Sequence, residues 1–265
     1  MGLIQQFNPW DGQKISEYPT ITTEEGLNQI KAFHGEFLLW KETTLDYRIE
    51  QIQKVKADLL SRKEELAKCM SMEMGKPITQ SRGEIDKCAW LCDEYCEQAS
   101  IMLGPKVIHT DYQESKVLFQ PMGLILLIMP WNYPLWQVFR AAIPAILSGN
   151  LVVLKHAENV WGSAIHLEKL FLTTSPMLLN LFMEKDQMEE VIKEKHIKAV
   201  SLTGSGRAGS EVASKAAEFI KPSVLELGGS NAMIVDPSAD IDLVAQQVLR
   251  GRFQNNGQSC IAVKR

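Results

Sequence analysis

The chain has 265 residues, 45% hydrophobic and 23% charged, with a net charge of -4. This is the composition of a soluble globular protein long enough to bury a core without disulfide staples, and the mild acidity leaves no electrostatic footprint for nucleic acid. The opening "MGLIQQFNPWDG" has no basic segment ahead of an apolar run and no Ser or Thr at its sixth position. It therefore reads as neither a secretory leader nor a myristoylation site. The longest apolar run, "GLILLIMP", ends at Pro130 and is too short to cross a bilayer. A cytoplasmic protein with no membrane or nucleic-acid partner is expected.

Helical patterning runs from about Thr23 to Leu103. "TTEEGLNQIKAFHGEFLLWKE" opens on Thr22 or Thr23 as a cap, with Glu24 or Glu25 behind it. "DYRIEQIQKVKADLLSRKEELAKCMSMEMGKP" follows as one long amphipathic stretch in which Ile49, Ile52, Val55, Leu59, Leu66 and Met70 keep mainly to helical spacing. Gly75 and Pro77 close it. Cys88, Cys92 and Cys96 recur at every fourth position and so share one helix face. With no neighbouring histidine or CxxC pair, they read as a buried stripe of small hydrophobes rather than a metal site. Five cysteines without secretory context do not imply a disulfide framework.

After Pro105 the texture changes. "KVIHT" and "SKVLFQP" read as two strands around the polar turn "DYQE". Four short apolar runs follow, "GLILLIMP", "NLVVLKH", "AVSLTGS" and "SVLELGG", with "LLNLF" as one more candidate strand. Helical segments separate them, and that alternation predicts a parallel sheet covered on both faces. Ligands of such sheets bind beyond the carboxyl ends of the strands. Polar constellations stand at those ends: Pro130, Trp131 and Asn132; Lys155 to Glu158; "TGSGRAG" from Thr203; and Glu226 to Gly229.

Each constellation has a chemical and a structural reading. The glycine-rich "GSGRAG" at a strand-to-helix turn suits a pyrophosphate or a tight turn. Lys155 and Glu158 form either a ribose-binding pair, with the carboxylate favouring NAD over NADP, or a surface ion pair. The Asn132 amide is an oxyanion donor or a turn residue. Glu226, in an otherwise apolar run, is a general base with a pKa raised by burial or a hydrogen-bonded structural carboxylate. Cys260, in "FQNNGQSC", is the candidate nucleophile. The five histidines lie in no matching motif, which disfavours a cysteine hydrolase. A cysteine joined by a glutamate, an amide donor and a dinucleotide site points to oxidation through a thioester.

Taken together, "NPWDG", "EMGKPI", "MPWNYP", "LKHAE", "LELGGSNAMIVDPSADID" and "FQNNGQSC" resemble the aldehyde dehydrogenase superfamily, as does the separation of 34 positions between Glu226 and Cys260. "MPWNYPLWQV", "LKHA" and "GQSCIAVKR" look most like its bacterial succinate-semialdehyde branch. The resemblance implies an α/β fold: a Rossmann-like parallel sheet with N-terminal helices and only the start of a catalytic domain. Its divisions would be an N-terminal helical part (1–103), oligomerisation-arm strands (104–121), an NAD-binding core (122–229) and the start of the catalytic domain (230–265).

It also implies roles. Cys260 would be the nucleophile, Glu226 the base for thioester hydrolysis, and Asn132 an oxyanion donor. The cofactor, NAD with NADP as an alternative, would lie along Ile128, Met129, Pro130 and Trp131. Lys155 and Glu158 would take its adenine ribose, and Gly204, Ser205, Gly209, Leu227 and Gly228 would complete its site. Arg140 would meet the distal carboxylate of a small aldehyde, succinate semialdehyde, alongside Gln254, where some relatives carry a second arginine. A homo-oligomer is implied for the full-length form.

Relatives in that superfamily continue for nearly as much chain again beyond the nucleophile, so the resemblance implies a truncated chain. Two expectations follow: little dehydrogenase activity by this chain alone, and few partners for the segment after "DPSADID". An inactive relative retaining nucleotide or partner binding stays open as the alternative. The shorter "LTTSPMLLNLF" lacks the Gly-Phe-Pro-x-Gly turn of the family and leaves the adenine side in doubt.

Overall fold

The computed structural model describes residues 2–172 and 175–265; Thr173 and Thr174, within the shortened "LTTSPMLLNLF" stretch, lie outside the described residues. The chain opens with an antiparallel hairpin, β1 (Leu3–Phe7) and β2 (Lys14–Pro19). This hairpin was not expected from the sequence, because its residues are largely exposed and present no apolar run.

Helix α1 (Thr23–Trp40) starts at a reciprocal capping box: Thr22 accepts from the Glu25 N–H while the Glu25 carboxylate accepts from the Thr22 N–H. The long amphipathic stretch is two helices, not one. Helix α2 (Leu45–Ser61) and α3 (Lys63–Met74) meet at Arg62, whose backbone (φ -102°, ψ 17°) leaves the helical region. Apolar spacing alone does not register such a break, since both halves bury the face that continues across it. Gly75 ends α3 in the left-handed conformation (φ 74°).

Helix α4 (Ile78–Leu103) buries Cys88 and Cys92 fully and Cys96 nearly so within the main apolar core. Burial pushes the Cys92 thiol up to about 12 and Cys88 upward as well, so all three act as core hydrophobes. Two short strands, β3 (Lys106–Val107) and β4 (Lys116–Val117), then pair antiparallel with every residue exposed.

The centre is a five-stranded parallel sheet. In chain order its strands are β5 (Leu124–Met129), β6 (Leu151–His156), β7 (Leu178–Asn180), β8 (Ile197–Gly204) and β9 (Ser223–Leu227). Their spatial order is β7-β6-β5-β8-β9, all neighbours parallel. The expected parallel α/β sheet is therefore present. All six residues of β6 are buried, as a strand covered on both faces requires. Truncating Leu154 to Ala there would cost about 2–5 kcal/mol in lost transfer energy and cavity formation.

Helices α5 (Trp136–Leu147), α6 (Trp161–Leu170), α7 (Met188–Lys193) and α8 (Gly206–Glu218) supply the crossovers. Strand order reverses between β5 and β8, and the crevice at that switch is where such sheets take ligands. The far edge, β9, is mostly exposed, and helix α9 (Ile241–Phe253) beyond it carries no buried residue. Helix α9 fits the expectation of few partners for the segment after "DPSADID", but the loop that follows it does not: Asn255, Ser259 and Ala262 are buried, and Asn255 and Asn256 bond to Gln80, Asn132 and Gly75.

Candidate active site

The last residues of the strands place the predicted groups at one edge of the sheet. Register aligns Met129 with His156 and Thr203 with Glu226, so the polar residues that follow each strand emerge side by side. Two adjoining cavities occupy that edge. A groove of about 1030 Å³ is lined by Ile128, Met129 and Pro130 after β5, Lys155 and Glu158 at β6, and Gly204 at β8. Trp131, Asn132, Ser205, Glu226, Leu227 and Gly228 surround a second cavity of about 360 Å³ that also includes Cys260.

Lys155 is buried, and its ammonium lies 3.1 Å from the Glu158 carboxylate. Ser205 caps α8, its hydroxyl accepting from the Ala208 N–H at 3.2 Å, so an exposed helix N-terminus faces the crevice. Gly209 is a correction. It lies a turn inside α8, buried, and a Cβ there would sit 2.7 Å from Leu227 Cδ2. Its smallness lets α8 close onto β9; it does not border the groove.

The nucleophile loop owes its shape to "NNG". Asn255, Asn256 and Gly257 have φ of 56°, 55° and 75°, three successive left-handed residues of the types that tolerate this conformation. Asn255 is fully buried and fastens the loop. Its side-chain amide donates to the Asn132 carbonyl at 2.7 Å and to the Gln258 carbonyl at 3.2 Å, and its backbone N–H donates to Gln80 Oε1 at 2.6 Å. Asn256 donates to the Gly75 carbonyl at 2.6 Å. The "EMGKP" turn between α3 and α4 is thus the seat on which the Cys260 loop rests. Sequence reading missed Asn255 and Gln80, although two asparagines before a glycine signal a left-handed turn.

A second fastening holds the "PWNYP" loop. The buried carboxylate of Glu84 accepts the N–H groups of Leu135 and Trp136, both at 2.8 Å, and forms a buried ion pair with Lys76. Leaving either charge unpaired there would cost several kcal/mol. His156, fully buried, binds the Pro134 carbonyl at 2.9 Å and receives the Ala157 N–H on Nδ1. That donor fixes the neutral tautomer with its proton on Nε2. Burial drives the His156 pKa down to about 4.

Asn132 directs its amide N–H to the Gln258 carbonyl at 2.9 Å, while its Oδ1 is buried without a partner. Its second N–H remains for a ligand. Glu226 departs from expectation. Its side chain is 53% exposed, so the expected burial is absent, because β9 is a sheet edge. Its carboxylate pairs instead with Arg140 at 3.2 Å, and Arg140 also donates to Thr203 Oγ1 at 3.2 Å. A third cavity, about 490 Å³, joins Arg140, Gln254, Glu226 and Cys260, with Lys87 and Trp136 on its wall. Cys260 thus borders both the cavity next to the groove and this one.

Among the described residues no cluster of three or more His, Cys, Asp or Glu side chains is arranged to hold a metal ion, and no helix is long and apolar enough to cross a membrane.

Comparison with known proteins gives the family. The profile of the aldehyde dehydrogenase family matches residues 2–265. The chain is 41% identical over 261 residues to the NAD(P)+ succinate semialdehyde dehydrogenase Sad of Escherichia coli (strain K12), covering 97% of this chain and 56% of that protein. It is 38% identical over 265 residues to a probable NADP(+) succinate-semialdehyde dehydrogenase of Synechocystis, covering 99% and 58%. The crystal structure of succinic semialdehyde dehydrogenase from Streptococcus pyogenes in complex with NADP+ superposes with a TM-score of 0.93 at 32% identity, over 98% of this chain and 58% of that one. The chain thus spans a little more than half the length of the curated relatives it matches. From its first strand to the cysteine loop, it belongs to the aldehyde dehydrogenase family.

Proposed function

We propose that Cys260 is the nucleophile of an NAD(P)-dependent oxidation of a small aldehyde, succinate semialdehyde, to its carboxylate. One observation carries this reading. Cys260, Asn132 and Glu226, from three distant parts of the chain, border one cavity that adjoins a groove at the strand ends. The names of the relatives, succinate-semialdehyde dehydrogenases, supply the substrate.

In this reading Cys260 adds to the aldehyde carbon to give a thiohemiacetal, whose oxyanion takes the free N–H of Asn132 and the backbone N–H of Cys260. The groove suits a dinucleotide, since the α8 N-terminus with Ser205 offers N–H groups to a pyrophosphate and the Lys155–Glu158 pair offers both charges to a ribose. When bound there, the nicotinamide supplies the acceptor for the hydride. Cys260 then holds the acyl group as a thioester, and Glu226 takes a proton from the water that hydrolyses it. Glu226 must first leave Arg140, and its exposed side chain has the freedom to do so. Domain divisions at 103, 121 and 229, and assembly through the exposed β3–β4 pair, belong to the same proposal.

The test is reduction of NAD or NADP by succinate semialdehyde, compared between the native protein and Cys260→Ala. Cofactor reduction that survives the substitution would refute the assignment. Dinucleotide binding without any turnover would favour the alternative of an inactive, nucleotide-binding relative.

A further inference from the structure

We propose that Lys87, on α4, is a substrate-recognition cation that draws the carboxylate end of the aldehyde toward Cys260. The proposal deepens the reading of Cys260 as nucleophile and rests on it. The cavity of about 490 Å³ beside Cys260 has walls from α4 and α5 and a floor from the cysteine loop. Four of its lining residues are charged: Glu84, Lys87, Arg140 and Glu226. Glu84 is neutralised by Lys76 in a buried pair, and Arg140 by Glu226 at 3.2 Å. Among the described residues, Lys87 has no carboxylate within ion-pair distance. Its ammonium stands 3.7 Å from the centroid of the Trp136 ring, which also lines the cavity.

The charge balance decides the assignment. With the two pairs cancelling internally, the field across this cavity is that of a single positive charge at Lys87. An aromatic face holds a lysine's ammonium in place without neutralising it, since the attraction is to a quadrupole and not to a net charge. An anion entering therefore meets Lys87 as an available partner, whereas binding to Arg140 first requires breaking a salt bridge and a hydrogen bond to Thr203. Gln254, on the opposing loop, offers an amide and no charge. The ligand class is a short aldehyde bearing a carboxylate at its far end. Lys87 receives the carboxylate, and Arg140 shares it once Glu226 has swung away.

A pair of thiol reagents of similar size tests this without turnover. Iodoacetate carries a carboxylate and iodoacetamide does not. Their second-order rates at Cys260, read by mass spectrometry of its peptide, are compared in the native protein, Lys87→Met and Lys87→Arg. In Lys87→Met the iodoacetate rate falls roughly threefold or more while the iodoacetamide rate holds; Lys87→Arg restores it, and high salt erases the difference. An unchanged ratio of the two rates in Lys87→Met would overturn the proposal. So would an equal fall for both reagents, which a merely structural disturbance of the loop would give. Because alkylation needs no cofactor, absence of dehydrogenase activity would count against the proposed reaction and leave this charge effect standing.

Discussion

Arg140 and Glu226 are joined by a salt bridge of 3.2 Å across the mouth of the Cys260 cavity. The two come from α5 and from the edge strand β9, and each has its own expected role, carboxylate recognition for one and water activation for the other. In the proposed reaction neither group would be free to act while they are paired, and substrate binding and base release would be coupled, because a carboxylate on Arg140 would displace that of Glu226.

Replacing Arg140 by Met should separate the two roles. The KM for succinate semialdehyde is expected to rise about tenfold or more, reflecting loss of a charge-assisted contact. The kcat/KM for an aldehyde of similar length without a carboxylate should change little. Equal losses on both substrates would show that Arg140 shapes the site and does not read the carboxylate.

Asn255 is expected to be the most sensitive position of the cysteine loop. Asn255→Ala removes two side-chain hydrogen bonds from a fully buried site and leaves a left-handed backbone without an asparagine. The loss should be about 2 kcal/mol or more, read as a lower denaturant midpoint. Asn256→Ala, at an exposed position, should cost less. The reverse order would contradict the role given to Asn255.

His156 makes stability depend on pH. It is neutral and buried in the folded chain with a pKa near 4 and ordinary, near 6.5, when unfolded. Below about 6.5 the unfolded chain binds a proton that the folded chain refuses. The stabilisation is therefore fully present above that pH and is lost as pH falls toward 4, by about 3 kcal/mol in all. Urea unfolding from pH 7 to pH 4 measures it. In His156→Gln, which has no titrating group at that position, the pH slope in this window should shrink; an unchanged slope would assign it to other groups.

Glu158 should set cofactor preference. Its carboxylate engages Lys155 and, in the proposed site, would repel a ribose 2′-phosphate. The native protein is expected to bind NAD more tightly than NADP, and Glu158→Ser should move the ratio of dissociation constants about tenfold toward NADP by freeing Lys155 for the phosphate. Titration with both dinucleotides decides it. Tighter binding of NADP by the native protein would overturn the argument.

What the sequence made legible follows from local physics. The buried strands β5 and β6 announce themselves as unbroken apolar runs, and the capping box at Thr22 and Glu25 as a pattern four residues long. The cysteine stripe of α4 is readable from helical period alone. The β1–β2 hairpin was not, since an exposed strand need not be apolar. Nor was the environment of Glu226, whose neighbours suggested burial while its position on an edge strand exposes it. Contacts such as Asn255 to Asn132, or Glu84 to the start of α5, join segments 51 to 123 residues apart, and no local pattern encodes them. Gly209 shows the opposite limit: a glycine in a phosphate-like motif that serves helix packing.

The thioester on Cys260 is the centre of the proposed chemistry, and trapping it is the most direct test. Glu226→Gln protein, slowed in hydrolysis, is incubated with succinate semialdehyde and NAD or NADP, quenched in acid and digested for mass spectrometry. The expected result is an acyl group on the peptide carrying Cys260, absent without cofactor and absent from the Glu226→Gln, Cys260→Ala double variant. Cofactor reduction with no acyl group on Cys260, or an acyl group on another residue, would contradict the assignment of Cys260 as the nucleophile.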